Sequence, residues 1–218
     1  MSILCDGSIA SPQEDVDGDG RWLDLHEKYV AEAKAKEPDV VFIGDSHIAC
    51  LEQTLTYHDL FEQFHCLCFG IRGDNTSNVL WRVLNGELEC IHPKVVVLLV
   101  GSNNRNQTAD QVLSGIAAIV DIICAKQPQA KILLLKIPPC GHKPNKRREL
   151  VMLINAGLVK AVQHFPNCEV LDITEGLVGS DGTIERADMY DYFHLTDSGY
   201  RKAFDIVYAA VQELVGNE

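Results

Sequence analysis

The chain has 218 residues, 46% of them hydrophobic and 23% charged, which is enough for one well-buried globular domain and too little for two. Lys and Arg number 19 against 31 Asp and Glu, a net charge of −12, and this argues against a nucleic-acid partner, whose phosphates demand a basic face. No apolar run approaches the roughly 18 residues that cross a bilayer, so no transmembrane segment is expected; the first residues carry no cationic-then-apolar stretch, and Ser2 in place of Gly removes myristoylation.

Residues 1–20, rich in Asp, Gly and Ser, read as an irregular arm, and 21–218 as a single domain. A helix over 22–36 places Trp22, Leu25, Tyr29 and Val30 on one side and stops at Pro38. Five short apolar runs follow, at 40–43, 65–69, 95–100, 131–135 and 169–171. They are continuous rather than alternating, as strands buried on both faces of a parallel sheet are. Helical stretches at 48–56, 78–84, 109–126, 148–165 and 198–214 separate and close them. The alternation predicts βαβ units, and hence an α/β fold: a three-layer α/β/α sandwich on a five-stranded, mostly parallel sheet, flavodoxin-like. The short basic cluster Lys143, Lys146, Arg147 and Arg148 reads as the solvated start of a helix. The eight cysteines show no metal-ligand spacing. Cys66 and Cys68 share one face of a strand, and Cys50, Cys90, Cys124 and Cys168 stand singly among apolar residues. The expectation is reduced, buried thiols in a cytoplasmic protein that needs no metal or other cofactor.

In such sheets ligands bind beyond the carboxyl ends of the strands, so the informative loops are those after the apolar runs. The first run ends in Gly44-Asp45-Ser46-His47 and opens directly into a helix, where unpaired N–H groups favour developing negative charge. The second ends in Gly70-Ile71-Arg72-Gly73-Asp74 and the third in Gly101-Ser102-Asn103-Asn104. A glycine N–H and an Asn amide donating to one oxygen are the equipment of an oxyanion hole. Asp191-Tyr192-Phe193-His194 stands just before the last helix, with acid and base close enough for the carboxylate to orient the imidazole. Each element alone is common, since Ser and Asp also cap ordinary helices. In this order and at these strand ends they form one assembly. It is the four-block pattern of the SGNH (GDSL) hydrolases; the Gly-x-Ser-x-Gly elbow of α/β-hydrolases is absent, because position 48 is Ile.

Longer stretches carry the resemblance further. Asp19-Gly-Arg-Trp22, Glu37-Pro-Asp-Val-Val-Phe-Ile-Gly-Asp-Ser46, Val79-Leu-Trp-Arg82, Asn85-Gly-Glu-Leu-Glu89 and Asp188-Met-Tyr-Asp-Tyr-Phe-His-Leu195 resemble the family of catalytic α subunits of intracellular (type Ib) platelet-activating factor acetylhydrolase, from about residue 16 to 214. The resemblance implies a cytoplasmic serine esterase that removes the sn-2 acetyl group of a phospholipid through a covalent acyl-enzyme. It further implies subunits that form homo- or heterodimers and dock on a WD-repeat propeller regulator. Residue by residue it makes Ser46 the nucleophile, His194 the general base and Asp191 its orienting acid. The Ser46 N–H, Gly73 and the Asn103 amide become the oxyanion hole.

The sequence departs from that family at His47, Arg72, Ser102 and Phe193, which border the acyl pocket or its rim there, and at Cys140, where the family has Arg. Of these Arg72 is the bulkiest change, standing where the family has Gly. A strand-end loop gives a long side chain an easy way out, so Arg72 is expected to face solvent or pair with Asp74. The altered pocket leaves open a broader short-chain carboxylesterase or lysophospholipase, and docking without catalysis stands as the reading from another class.

Overall fold

In the computed structural model, which describes residues 7–216, the five apolar runs form a single parallel sheet in the order β2-β1-β3-β4-β5. The strands are β1 (Val40–Gly44), β2 (Cys66–Gly70), β3 (Val95–Leu99), β4 (Lys131–Leu135) and β5 (Cys168–Leu171). The helices are α1 (Arg21–Ala35), α2 (Ser46–Leu51), α3 (Leu55–Leu60), α4 (Thr76–Leu84), α5 (Ala109–Lys126), α6 (Lys146–Val162) and α7 (Asp197–Gly216). Every residue of β1 and of β3 is buried, which is why neither run shows polar alternation.

Successive side chains of each strand face opposite layers. Val41, Ile43, Val96 and Leu98 join a core beneath α1, α4, α5 and α6. Val40, Phe42, Val97 and Leu99 join a second beneath α2, α3 and α7. This is the expected three-layer sandwich, with all of its strands parallel. From β1 the chain proceeds to β2 on one side and later to β3 on the other, so the strand order reverses between β1 and β3. The crevice at their carboxyl ends is where a doubly wound sheet places a ligand. Among the described residues no helix is long and apolar enough to cross a membrane.

Several local expectations are corrected. The helix read over 48–56 is two helices. Residues after Leu51 turn, and the Thr54 side chain accepts from Tyr57 N–H to cap a new start at α3. β2 begins at Cys66 because His65 takes the left-handed conformation, with φ 49°. α6 begins two residues before the expected Arg148, since the Asn145 side chain caps it by accepting from the N–H groups of Arg147 and Arg148. On α1 the inward residues are Trp22, His26, Tyr29 and Ala33, while Leu25 is exposed. Buried Glu87 gives His26 a partner at 3.0 Å, and so a reason to face inward. The described cysteines are free, but among them Cys68 and Cys140 alone are buried; Cys50, Cys66, Cys124 and Cys168 are half-buried, and Cys90 is exposed. Its neighbours Leu88 and Ile91 are the residues that turn inward there, under a Gln127 amide that donates to both their carbonyls.

Candidate active site

Gly44 ends β1 and turns the chain sharply. A Cβ there would lie 2.1 Å from the Leu99 carbonyl oxygen, so only glycine allows β1 and β3 to close up beneath the turn. Asp45 then caps α2, its carboxylate accepting from His47 N–H and from the Ser102 hydroxyl. That second bond ties the loop after β1 to the loop after β3. Ser46, the first residue of α2, is buried to 3% exposure.

The hydroxyl of Ser46 lies 3.0 Å from His194 Nε2, and His194 Nδ1 lies 2.7 Å from Asp191 Oδ2. A carboxylate only accepts, so Nδ1 carries the proton and Nε2 is free to accept from the serine. Asp191 Oδ1 also accepts the backbone N–H groups of Phe193, at 3.0 Å, and His194, at 2.7 Å. Partial burial alone would raise the Asp191 carboxyl. The bonds from His194 and Phe193 outweigh it and hold that group below the ordinary carboxylate range. The turn that achieves this puts Tyr192 at φ 61°, a left-handed position unusual for a non-glycine residue. Tyr192 is fastened there by Gly141 N–H to its carbonyl and by Arg186 Nε to its hydroxyl.

On the other side of Ser46 lies the loop after β2. Gly73 sits at φ 86°, where a side chain would be strained. Asn103, from the loop after β3, donates through Nδ2 to the Asp74 carbonyl at 2.9 Å. An amide carries two such hydrogens, so one remains for the cavity.

Beneath this loop is a set of residues that sequence reasoning missed. Arg82 is fully buried. Its guanidinium donates to Asp74 at 2.8 Å, to Glu87 at 2.6 Å, and to the carbonyls of Gly44 and Phe69 at 3.0 and 3.1 Å. Trp22 Nε1 donates to the other Asp74 oxygen at 2.7 Å. One side chain thus ties the ends of β1 and β2 to the loop that carries Gly73. Burial pushes the Asp74 carboxyl up to about 6 despite the adjacent guanidinium.

A cavity of about 410 Å³ opens over these groups, bordered by Ser46, Arg72, Gly73, Asn103, Asp191, Phe193 and His194, with Arg105 and Arg147 completing its rim. The structure therefore brings the sequence-derived triad and oxyanion residues together. Of the four residues read as pocket wall, Arg72 and Phe193 border the cavity. His47 and Ser102 do not: both are buried behind it, His47 against the Phe193 ring and Ser102 on Asp45. Neither ring nitrogen of His47 has a partner, and burial lowers its pKa, keeping the imidazole neutral. Arg72 is exposed, as expected, but Asp74 is committed to Trp22 and Arg82 rather than to it. Arg147 lies in the first turn of α6, where the basic cluster was expected to be solvated, yet it reaches Ser102 O at 2.7 Å and lies 4.2 Å over the Phe193 ring, and Arg148 is buried. A clustering of basic residues at 143–148 was the available signal for it. Among the described residues no cluster of His, Cys, Asp and Glu could hold a metal.

A hydroxyl bonded to an oriented imidazole, in a cavity that Gly73 and Asn103 also border, has parts for nucleophilic acyl transfer. Comparisons with known proteins agree in kind. Residues 42–202 match the model of the GDSL-like Lipase/Acylhydrolase family. The chain is 45% identical over 211 residues to platelet-activating factor acetylhydrolase IB subunit alpha1 of Homo sapiens, covering 97% of this chain and 91% of that protein. It is 44% identical over 208 residues to subunit alpha2 of Rattus norvegicus, covering 95% and 91%. A crystal structure of a GDSL-like lipase from Bacteroides thetaiotaomicron superposes with a TM-score of 0.71 over 86% of this chain and 97% of that one, at 20% identity, a likeness of fold.

Proposed function

The chain belongs to the GDSL-like lipase/acylhydrolase family, and on that premise we propose that it is a serine esterase acting on the sn-2 acetyl ester of platelet-activating factor or a similar short-acyl phospholipid. The observation that carries this is the unbroken line from Ser46 Oγ through the His194 imidazole to Asp191. The names of the relatives supply the substrate class.

In the mechanism this geometry supports, His194 Nε2 takes the Ser46 proton as the oxygen attacks the ester carbonyl. The tetrahedral oxyanion is met by the N–H groups of Ser46 and Gly73 and the free amide hydrogen of Asn103. His194, now protonated and held by Asp191, gives its proton to the leaving alcohol. An acetyl group then remains on Ser46. Water, deprotonated by His194, attacks this acyl-enzyme, and acetate leaves as Ser46 regains its hydrogen. Rates on matched sn-2 acetyl, butyryl and longer esters test the reading. A preference for acetyl supports it, and equal or faster turnover of long chains would transfer the protein to the broader carboxylesterase or lysophospholipase class.

The relatives are named as subunits, so the same reading extends to a homo- or heterodimer docked on a WD-repeat propeller, in the cytoplasm. Sedimentation of a monomer at micromolar concentration, unshifted by the propeller, would remove that part of it.

A further inference from the structure

Tyr190 is 51% exposed, one of the large side chains that the fold leaves in water. Its ring nevertheless lies flat against the His194 imidazole, 15° from parallel, with the ring centroids 5.8 Å apart. The reason is register. Between Asp188 and Thr196 the chain doubles back on itself: Met189 and Leu195 form an antiparallel bridge, and Thr196 N–H donates to the Asp188 carbonyl at 2.8 Å. Tyr192 turns the tip at φ 61°. Met189 and Leu195 face the core, 0% and 3% exposed. Successive side chains leave such a bridge on opposite faces. The next pair inward, Tyr190 and His194, therefore stands on the outer face, one opposite the other, where cross-strand partners touch.

Three aromatic side chains meet the imidazole. Phe193 is nearly perpendicular to it, at 4.7 Å and 81°, and His47 is tilted, at 5.9 Å and 49°. Of the three, Tyr190 is the one that lies parallel to it. An aromatic face carries the negative part of the ring quadrupole and attracts a cation laid over it. While Nε2 is free to accept from Ser46 the imidazole is neutral, and it becomes a cation only when it has taken the serine proton. An attraction that appears only then raises turnover without tightening substrate binding. Tyr190 is not among the residues that border the Ser46 cavity. Among the described residues its hydroxyl has no hydrogen-bond partner, so the ring face is what it offers.

Resting on the serine-esterase reading of Ser46 and His194, we infer that Tyr190 is a positioning residue for the general base. It stacks on the His194 imidazole, keeps it aligned between Ser46 and Asp191, and stabilises the imidazolium formed at each proton transfer. It acts through His194 and makes no contact with the substrate.

The test measures kcat and KM of the intact protein on a monomeric sn-2 acetyl phospholipid. Acylation and deacylation both pass through the imidazolium, so losing the ring face slows the two steps together and leaves KM unchanged. Tyr190→Leu keeps apolar bulk without a π face and lowers kcat about fivefold, the scale of a cation on a half-exposed ring. Tyr190→Phe keeps the face and stays within about twofold of wild type. Phenylalanines of increasing ring fluorination at position 190 keep the shape while draining negative charge from the face, so log kcat falls stepwise along that series. This arm separates charge from packing if Tyr190→Leu disturbs the turn. A flat fluorination series, a Leu variant as fast as wild type, a Phe variant as slow as the Leu variant, or a change confined to KM would overturn the inference and leave the esterase standing. If the wild-type protein hydrolyses no ester, the esterase reading itself fails, and the inference with it.

Discussion

The two halves of the site are held in opposite ways. The half proposed to hold the nucleophile and the oxyanion hangs on loops from three different strands, and what unites those loops is buried charge. Arg82, Asp74 and Glu87 have fully buried side chains, and Arg82 grips the ends of β1 and β2 directly. The half proposed to hold the acid and the base is a single short turn. Asp191 and His194 are three residues apart, their side chains 41% and 18% exposed, and the bonds that Asp191 accepts stay within the turn. Such a turn can sit near solvent, and its outside fastenings are the bonds of Gly141 and Arg186 to Tyr192. Loops from separate strands must be pinned from below, and a guanidinium with several donors does that at the cost of desolvating charge.

The largest expected effect is on chemistry in the first half. Ser46→Ala should lower turnover on the order of a millionfold, with the fold intact because Asp45, not Ser46, caps α2; steady-state kinetics with circular dichroism checks both. In the second half Asp191→Asn should cost about 10⁴-fold in kcat yet change stability by less than about 1 kcal/mol, as befits an exposed pair. Arg82→Met breaks the comparison from the other side. It strands Asp74 and Glu87 in the core and should destabilise by about 3–5 kcal/mol, read as a lowered denaturant midpoint. If Arg82→Met proved as mild as Asp191→Asn, the two halves would not differ in the way described. Asn103→Ala should slow kcat roughly a hundred- to a thousandfold with little change in KM. A raised KM at constant kcat would make Asn103 a ground-state contact instead.

The smallest effect concerns pH. The Asp191 carboxyl is held below its ordinary range, so its contribution to stability is present above the unfolded value of about 3.9 and is lost as pH falls through the lower folded one. The small stability gap between wild type and Asp191→Asn should persist from neutral pH to about pH 4 and close below it. A gap that closes near neutrality would place the linkage on another group.

Where the sequence was legible follows from the same contrast. Continuous apolar runs gave away the strands, since a parallel sheet buries both faces, and Asp-x-x-His was readable because its partners are neighbours. Arg82 was not, for its partners lie 5 to 38 positions away and a lone Arg on a helix ordinarily faces water. Arg147 was read as solvated because it belongs to a short basic cluster at a helix start, though its guanidinium reaches back 45 positions to Ser102. The α2–α3 break was hidden because apolar spacing runs across it, and only the Thr54 cap divides the two helices. His47 and Ser102 were placed at the pocket by the family resemblance rather than by any local pattern. Strand-end geometry instead sends both side chains into the protein.

The central claim is that Ser46 is the nucleophile of an esterase, and it is tested most directly by reacting the protein with a serine-directed fluorophosphonate and locating the adduct by peptide mass spectrometry. The account predicts one adduct per chain, on Ser46, with esterase activity lost in proportion to labelling and labelling strongly slowed in His194→Ala. An adduct on another residue, or undiminished activity with Ser46 fully modified, would contradict it.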